Sequence, residues 1–229
     1  YLGASSLKKI FRFIEHRIDN MGDAAVTSSW NNAEEIRAIR KRGNVEVLLD
    51  GTRLSMFAGL PEKNAIRREY NISEDAVVVT YTGAFIRNKG IHFFLEALPE
   101  IAQKYPRVHF VLAGFPLELI AQDIAEEALQ NRFTIISPSP YFDLAKILKM
   151  SDIGVDPKEE ATREASGKAL QYMGAGLPVV CFDTKNNREY LGEGGIYARE
   201  ATGVSFARAL EQAIADPVLC ERSGALNHK

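Results

Sequence analysis

Residues 76–90 read AVVVTYTGAFIRNKG, in which an apolar run leads into a loop that contains glycine and lysine. The run from Ala76 to Thr82 is rich in β-branched residues, so it predicts a buried strand. Residues 89–105 follow with apolar side chains at helical spacing, namely Ile91, Phe94, Leu95, Leu98, Ile101 and Tyr105. This spacing predicts an amphipathic helix packed on the strand. A strand, a loop and a helix in this order form the first unit of a parallel sheet.

The same alternation continues along the rest of the chain. Further strands are predicted at 108–113, 133–136, 153–155, 178–182 and 195–197, and further helices at 117–129, 142–150, 167–174, near Asn186 and at 204–214. Each strand and helix together take about 20 to 30 residues, a rhythm that specifies a parallel sheet covered by helices on both faces. The sequence therefore predicts an α/β fold with a doubly wound, Rossmann-like parallel sheet.

The first 50 residues carry a smaller αβαβ pattern. It consists of predicted helices at 7–18 and 31–41 and predicted strands at 24–27 and 45–49. A piece of this size cannot cover parallel strands on both faces, so we expect it to lean on chain that precedes Tyr1. The polar segment 50–73 separates the two patterns. We place the domain boundary within it and divide the chain into residues 1–60 and 61–229.

Composition excludes several classes of protein. With 46% hydrophobic and 25% charged residues, the chain is typical of soluble globular proteins. The 28 Lys and Arg residues are balanced by 30 Asp and Glu residues, which argues against a nucleic-acid partner. Cys181 and Cys220 do not form a CxxC arrangement, so a metal or redox pair has no support. The apolar runs are far shorter than the ~20 residues that span a bilayer, and we expect a cytoplasmic location.

Basic side chains in the first 50 residues allow two interpretations. The first predicted helix carries Lys8, Lys9 and Arg12 opposite its apolar side chains, and residues 37–42 contain a second basic cluster. These groups can meet anionic lipid at the inner face of a membrane, which predicts peripheral membrane contact. Alternatively, they form a solvated helix face.

The loops that follow the strands are the first place to search for a ligand site, because ligands of open parallel sheets bind at the carboxyl ends of strands. In the loop after the first strand, Gly83 permits close backbone approach and Lys89 lies at the start of a helix, where an anion is favoured. This pair predicts phosphate binding. The alternative is an ordinary solvated lysine.

A second segment of interest, residues 164–180, contains a short loop and the predicted helix 167–174 that follows it. Ser166 and Gly167 stand at its start, where free backbone N–H groups form an anion cradle. Lys168 and Gln171 are three residues apart and share one face, so they can hold a phosphate and a neighbouring polyol. The alternative is a helix cap by Ser166 beside an exposed Lys168. The glycine patterns of dinucleotide enzymes and of P-loop ATPases are absent.

Taken in order, three segments resemble the nucleotide-sugar-binding half of retaining GT-B glycosyltransferases. They are residues 83–90, residues 164–180, and residues 187–190 with the glycines that follow. The closest likeness is to the large family called group 1 or GT4, and it runs from about residue 20 to the end. The resemblance implies the C-terminal half of a GT-B fold, with residues 1–60 the end of the acceptor domain and the interdomain linker.

The resemblance also implies roles for individual residues. Lys89 is expected to bind the donor diphosphate, and the N–H groups of residues 166–168 to receive its phosphates beside Gly83. Glu164 resembles the acidic residue that contacts the transferred sugar, so Glu164 and Lys89 are the expected catalytic pair. The base of a UDP-, GDP- or ADP-sugar is expected against the loop that contains Ser139, and the ribose at Gln171.

The family pattern further implies that no metal or other cofactor takes part. The acceptor is expected to be a glycan or a lipid-linked molecule held by the preceding domain. A chain that contains only residues 1–229 is therefore expected to bind a nucleotide sugar without transferring the sugar.

The chain departs from the family pattern in three ways. Ala84 stands where the family usually has an arginine, and Gln171 stands where it has a second glutamate. Six residues separate Glu164 from Gln171, where seven are usual. Because these changes remove charges from the expected site, two alternatives stay open. One is a non-catalytic nucleotide-sugar-binding subunit, and the other is a sugar-nucleotide epimerase on the same scaffold.

Overall fold

The computed structural model describes residues 5–124, 132–160 and 165–228. The chain divides into two compact units. The first comprises Tyr1–Asp50 with Arg163–Ala165, and the second comprises Gly51–Thr162 with Ser166–Lys229.

The first unit is a short αβαβ segment. Its elements are α1 (Ser5–Asp19), β1 (Ala24–Thr27), α2 (Trp30–Ile39) and β2 (Asn44–Val47). The strands β1 and β2 pair in parallel. Ser29 begins α2, since its side chain accepts a hydrogen bond from the backbone N–H of Asn32 at 3.1 Å. The apolar side chains of α1 are exposed to solvent, as are the basic ones between them.

The second unit contains the remaining elements. In chain order they are α3 (Lys63–Glu69), β3 (Val77–Ala84), α4 (Ile91–Lys104), β4 (Val108–Phe115), β5 (Phe133–Ile136), α5 (Leu144–Lys149), β6 (Ile153–Asp156), α6 (Gly167–Gly174), β7 (Val179–Phe182), α7 (Lys185–Leu191), β8 (Gly195–Ala198), α8 (Gly203–Ala215) and α9 (Pro217–Asn227). The strands form one sheet in the order β5-β4-β3-β6-β7-β8, and every neighbouring pair is parallel. The predicted doubly wound α/β sheet is confirmed.

The chain reverses its direction across the sheet between β3 and β6. It runs outward from β3 through β4 to β5, and then returns to place β6 on the other side of β3. Such a reversal leaves a crevice at the carboxyl ends of the two central strands, where ligands of this architecture bind. The fold therefore directs attention to the loops after Ala84 and after Asp156.

Helices cover both faces of the sheet. On one face, a cluster that includes Phe94 of α4 and Phe206 of α8 packs against Tyr81 of β3. On the opposite face, α3, α5 and α6 contribute buried side chains, among them Ile66, Ile147 and Tyr172. The central strands are buried on both sides, as their continuous apolar sequences require.

Some boundaries differ from the sequence-based ones. The compact units divide between residues 50 and 51, whereas the sequence predicts a boundary between residues 60 and 61. The difference arises because Met56 and Phe57, although they lie in a polar segment, pack against a buried cluster of the second unit. The predicted helix 117–129 is a 3-10 turn at Leu117–Leu119, and residues 125–131 lie outside the described residues. Helix α9 was not predicted. It begins at Asp216, whose side chain accepts from the N–H of Leu219 at 3.0 Å.

Candidate functional site

A buried ion pair lies at the carboxyl ends of the central strands. Asp156 is the last residue of β6 and is fully buried. The Lys168 Nζ lies 3.5 Å from its Oδ1, and the side chain of Lys168 is 11% exposed. Within the described residues, neither of these two atoms has a hydrogen-bond partner. A buried ammonium with unused donors is a site that an anionic ligand can complete.

Two residues of β3 border this ammonium. The Nζ of Lys168 lies 3.9 Å from the centre of the Tyr81 ring, a cation–π contact. Gly83 has a φ of +115°, and a side-chain carbon added there would lie 4.0 Å from the Nζ. Because Gly83 is exposed and carries no side chain, the approach to Lys168 from this strand stays open. The structure thus brings Gly83 and Lys168 together, two residues that the sequence assigned to one site.

The start of α6 is open as far as the described part of the chain is concerned. Ser166 occupies the cap position but makes no side-chain cap bond, because its hydroxyl donates to the Oδ2 of Asp156. A carbon added at Gly167 would meet no atom of the described residues within 4 Å. The alternative interpretation, a cap by Ser166 beside an exposed Lys168, is therefore wrong. Among the described residues, the first N–H groups of α6 have no acceptor and can receive a ligand beside the Lys168 ammonium.

Lys89 lies where the loops after β3 and β6 meet. It ends a 3-10 turn, Arg87–Lys89, and is followed by Gly90 in the left-handed conformation with φ 74°. A carbon added at Gly90 would lie 1.9 Å from the carbonyl oxygen of Pro157, so the two loops are in direct backbone contact there. The structure places Lys89 and Lys168 at the same edge of the sheet, Lys89 in the loop after β3 and Lys168 in the first turn of α6, which follows β6.

The other predicted site residues are less closely gathered. Gln171 lies on α6 and is partly exposed, three residues after Lys168. Ser139 lies in the loop after β5, and β4 separates that strand from β3. Glu164 falls outside the described residues. Their roles stay predictions.

Sequence reasoning missed Asp156. The predicted strand ended at Val155, one residue too early, so the carboxylate was assigned to a loop. A signal was present, since an acidic residue closes a buried apolar strand directly before Pro157. A buried carboxylate needs a partner, and Lys168 is the cation that the fold brings to it.

The segment 187–190 serves the local structure. The amide of Asn187 donates to the carbonyl of Phe182 at 2.9 Å. Arg188 forms a two-bond ion pair with Asp183 at 2.6 and 2.7 Å and stacks on the Tyr197 ring. The Arg188 guanidinium also lowers the pKa of Asp183. These contacts stabilise the end of β7 and the start of α7.

Residues 5–124, 132–160 and 165–228 contain neither a candidate metal site nor a candidate membrane-spanning helix. No group of three or more His, Cys, Asp or Glu side chains there is suited to a metal ion. No helix in those ranges combines the length and apolar character needed to cross a membrane.

Together the sheet order and the crevice beside the buried Lys168 define an α/β domain of the class that binds its ligands at the switch point. Comparison with known sequences gives the family. The family described as "Glycosyl transferases group 1" matches residues 76–216, and the chain belongs to it. The putative glycosyltransferase EpsD of Bacillus subtilis is 26% identical over 172 residues, which cover 73% of this chain and 44% of EpsD. The chain spans less than half the length of the curated relatives it matches.

Solved structures show the same architecture. Sucrose-phosphate synthase from Thermosynechococcus elongatus superimposes with a TM-score of 0.81 at 20% identity, over 99% of this chain and 58% of that one. HepE from Anabaena, solved in complex with UDP and glucose, gives a TM-score of 0.75 at 17% identity, over 90% of this chain and 57% of that one. The predicted likeness to the C-terminal half of the GT-B fold is confirmed.

Proposed function

We propose that this chain binds the nucleotide-diphosphate sugar donor of a glycosyltransferase that transfers the sugar with retention. The observation that carries the proposal is the buried Lys168 ammonium, which has no hydrogen-bond partner in the described residues and lies beside the open start of α6. Membership of the glycosyl transferases group 1 family supports the same reaction class.

The chemistry follows from charge. The leaving diphosphate carries developing negative charge, and Lys168, Lys89 and the N–H groups of α6 would stabilise it. Because Asp156 and Tyr81 already hold Lys168 in place, little reorganisation is needed when the diphosphate binds. This arrangement supplies positive charge without a metal ion.

The rest of the donor is assigned by the family pattern. Glu164 would contact the transferred sugar, Gln171 the ribose, and the loop with Ser139 the base. HepE was solved with UDP and glucose, so UDP-glucose is the first donor to test, before GDP- and ADP-sugars. The acceptor, a glycan or a lipid-linked molecule, would be held by a preceding acceptor domain.

Membrane contact is a separate part of the proposal. Helix α1 exposes Ile10, Phe11 and Phe13 together with Lys8 and Lys9, a composition that suits the inner face of an anionic membrane. Co-sedimentation with vesicles that contain phosphatidylglycerol tests it. Binding that salt abolishes supports the contact, and no binding to vesicles contradicts it.

A non-catalytic binding subunit is the second candidate, because Ala84 and Gln171 each replace a charged residue of the family pattern. The two candidates differ in turnover. In a protein that also contains the acceptor domain, release of UDP from UDP-glucose that depends on an acceptor extract indicates transfer, and binding without release indicates a binding subunit. Conversion of the donor sugar without any acceptor would instead indicate the epimerase.

Calorimetric titration with UDP, GDP and ADP tests the site itself. We expect Lys168→Met and Lys89→Ala each to weaken binding of the tightest nucleotide about tenfold, since each removes a charge-assisted contact to phosphate. Lys104→Ala is the matched control. Lys104 is the last residue of α4, at the end of the helix that lies away from Lys89, and it pairs with Glu211. Unchanged affinity in Lys168→Met would overturn the proposal.

A further inference from the structure

The two central strands separate just before the candidate site. β3 pairs with β4 over eight residues, from Val77 to Ala84, but with β6 over only two, Val79 with Ile153 and Thr80 with Gly154. Beyond Thr80 and Gly154 the strands diverge, and the crevice opens between them.

The hydroxyl of Tyr172 lies in this fork. It accepts a hydrogen bond from the backbone N–H of Thr82 at 3.0 Å and lies 3.2 Å from the hydroxyl of the same residue. Its one proton can be donated to the carbonyl oxygen of Val155, 3.2 Å away, or to that of Thr80, which is slightly farther at 3.4 Å. One side chain therefore joins the diverging ends of β3 and β6.

The position of the ring is tightly defined. Tyr172 is fully buried, and a side-chain carbon at Gly154 would lie 2.7 Å from the Cγ of its ring. The glycine in β6 thus makes room for the aromatic ring. Burial raises the pKa of Tyr172 to about 12, so its hydroxyl keeps the proton that it donates at neutral pH.

Each partner of Tyr172 directly precedes a residue that borders the Lys168 ammonium. Thr82 precedes Gly83, and Val155 precedes Asp156. Tyr172 itself follows Lys168 by four residues, one turn along α6. The same hydroxyl group thus connects β3, β6 and the helix that carries the cation.

We propose that Tyr172 is a positioning residue of the diphosphate site, a role that rests on the proposed function. Its hydroxyl sets the distance between the ends of β3 and β6 and holds α6 so that Lys168 meets the ligand. Without it, the N–H of Thr82 loses its acceptor, and the helix is free to shift relative to both strands. A shift of this kind weakens diphosphate binding through Lys168, although Tyr172 itself does not contact the ligand.

A double-mutant cycle tests the proposal, with calorimetric titration of the nucleotide that binds tightest among UDP, GDP and ADP. Tyr172→Phe keeps the ring and removes the hydroxyl. We expect it to weaken binding about fivefold in the parent protein and less than twofold when Lys168 is already methionine. The loss of thermal stability should be the same in both backgrounds. Tyr197→Phe is the control: its hydroxyl bonds to Gly192 at 2.7 Å near the far edge of the sheet, so it should leave affinity unchanged.

The outcomes separate this inference from the proposed function. Equal losses of affinity in both backgrounds, or no loss in Tyr172→Phe, would overturn the positioning role while the diphosphate site stands. If Lys168→Met by itself leaves affinity unchanged, both fail. Should Tyr172→Phe not fold, Thr82→Ala replaces it in the same cycle. It removes the hydroxyl that contacts Tyr172 but keeps the backbone N–H bond, so a smaller coupling to Lys168 of the same sign is expected, and no coupling would overturn the positioning role.

Discussion

The Nζ of Lys168 lies 3.5 Å from the Oδ1 of Asp156, in a part of the sheet where Asp156 is completely buried. Removing one partner of a buried ion pair leaves the other uncompensated, which costs more than the pair contributes as a whole. If Asp156 is removed, a bound anion beside Lys168 can therefore restore part of the lost stability.

The first prediction concerns Asp156→Asn. We expect the free energy of unfolding to fall by about 3 kcal/mol, because the Lys168 ammonium stays buried without its counter-ion. A bound nucleoside diphosphate should recover part of this loss, since its charge replaces that of Asp156. Chemical denaturation with and without nucleotide measures both quantities.

Asp183→Asn serves as the control for this experiment. Asp183 pairs with Arg188, whose side chain is 52% exposed, so its loss should cost less than about 1 kcal/mol. The nucleotide should not change that cost. If the loss in Asp156→Asn is the same with and without nucleotide, Lys168 does not bind the diphosphate.

A second prediction concerns the contact between the loops after β3 and β6. Gly90→Ala would place a carbon 1.9 Å from the carbonyl oxygen of Pro157, at a residue whose φ is +74°. We therefore expect the free energy of unfolding to fall by about 3 kcal/mol or more, and nucleotide binding to weaken. Gly59→Ala isolates the conformational part, because Gly59 has a φ of +68° and open space around it, and about 1 kcal/mol is expected. Similar melting temperatures for the two variants would show that the loops can move apart.

The sequence predicted the fold well because its signals are local. β-branched runs such as 76–82 and the helical stripe in α4 are visible within a short window, and both elements lie where expected. Helix α9 was not predicted because its apolar residues do not form one face. Its start was nevertheless recognisable from Asp216 and Pro217.

The site was only partly predictable, for a physical reason. Gly83 and Lys168 could be found because glycine and lysine in loops after strands are local signals of anion binding. Tyr172 could not, since it meets Thr82 across 90 residues of sequence and looks like any core aromatic. Its proposed positioning role depends on where β3 and β6 stop pairing, which no local pattern encodes.

A third prediction concerns pH. Burial, with a smaller effect of Arg67, lowers the pKa of His109 to about 4, below the ~6.5 of an unfolded chain. Between these values the unfolded chain takes up a proton that folded His109 does not, so stability falls as the pH is lowered from 7 to 4. The loss from this group between pH 7 and pH 5 should be about 1 kcal/mol, after allowance for the exposed part of the ring.

His109→Gln tests this pH dependence. The amide of glutamine can keep the contact with the Thr134 hydroxyl, which lies 2.8 Å from the His109 Nε2, but it does not titrate. Urea denaturation at pH 7, 6 and 5 should show a shallower decline for the variant. Parallel declines in the two proteins would assign the pH dependence to other groups.

The last prediction concerns Gln171, where the family pattern has a glutamate. Gln171 is partly exposed on α6, three residues after Lys168. If it contacts the ribose as proposed, a carboxylate there would accept hydrogen bonds from both ribose hydroxyls at a small desolvation cost. We expect Gln171→Glu to tighten binding of UDP about threefold, since charge-assisted hydrogen bonds are the stronger ones.

The 2′,3′-dideoxy analogue of UDP lacks both hydroxyls and separates this contact from any general effect of the new charge. With the analogue the gain should vanish or become a loss, because only repulsion between Glu and the diphosphate remains. An equal gain with both nucleotides would place the ribose elsewhere.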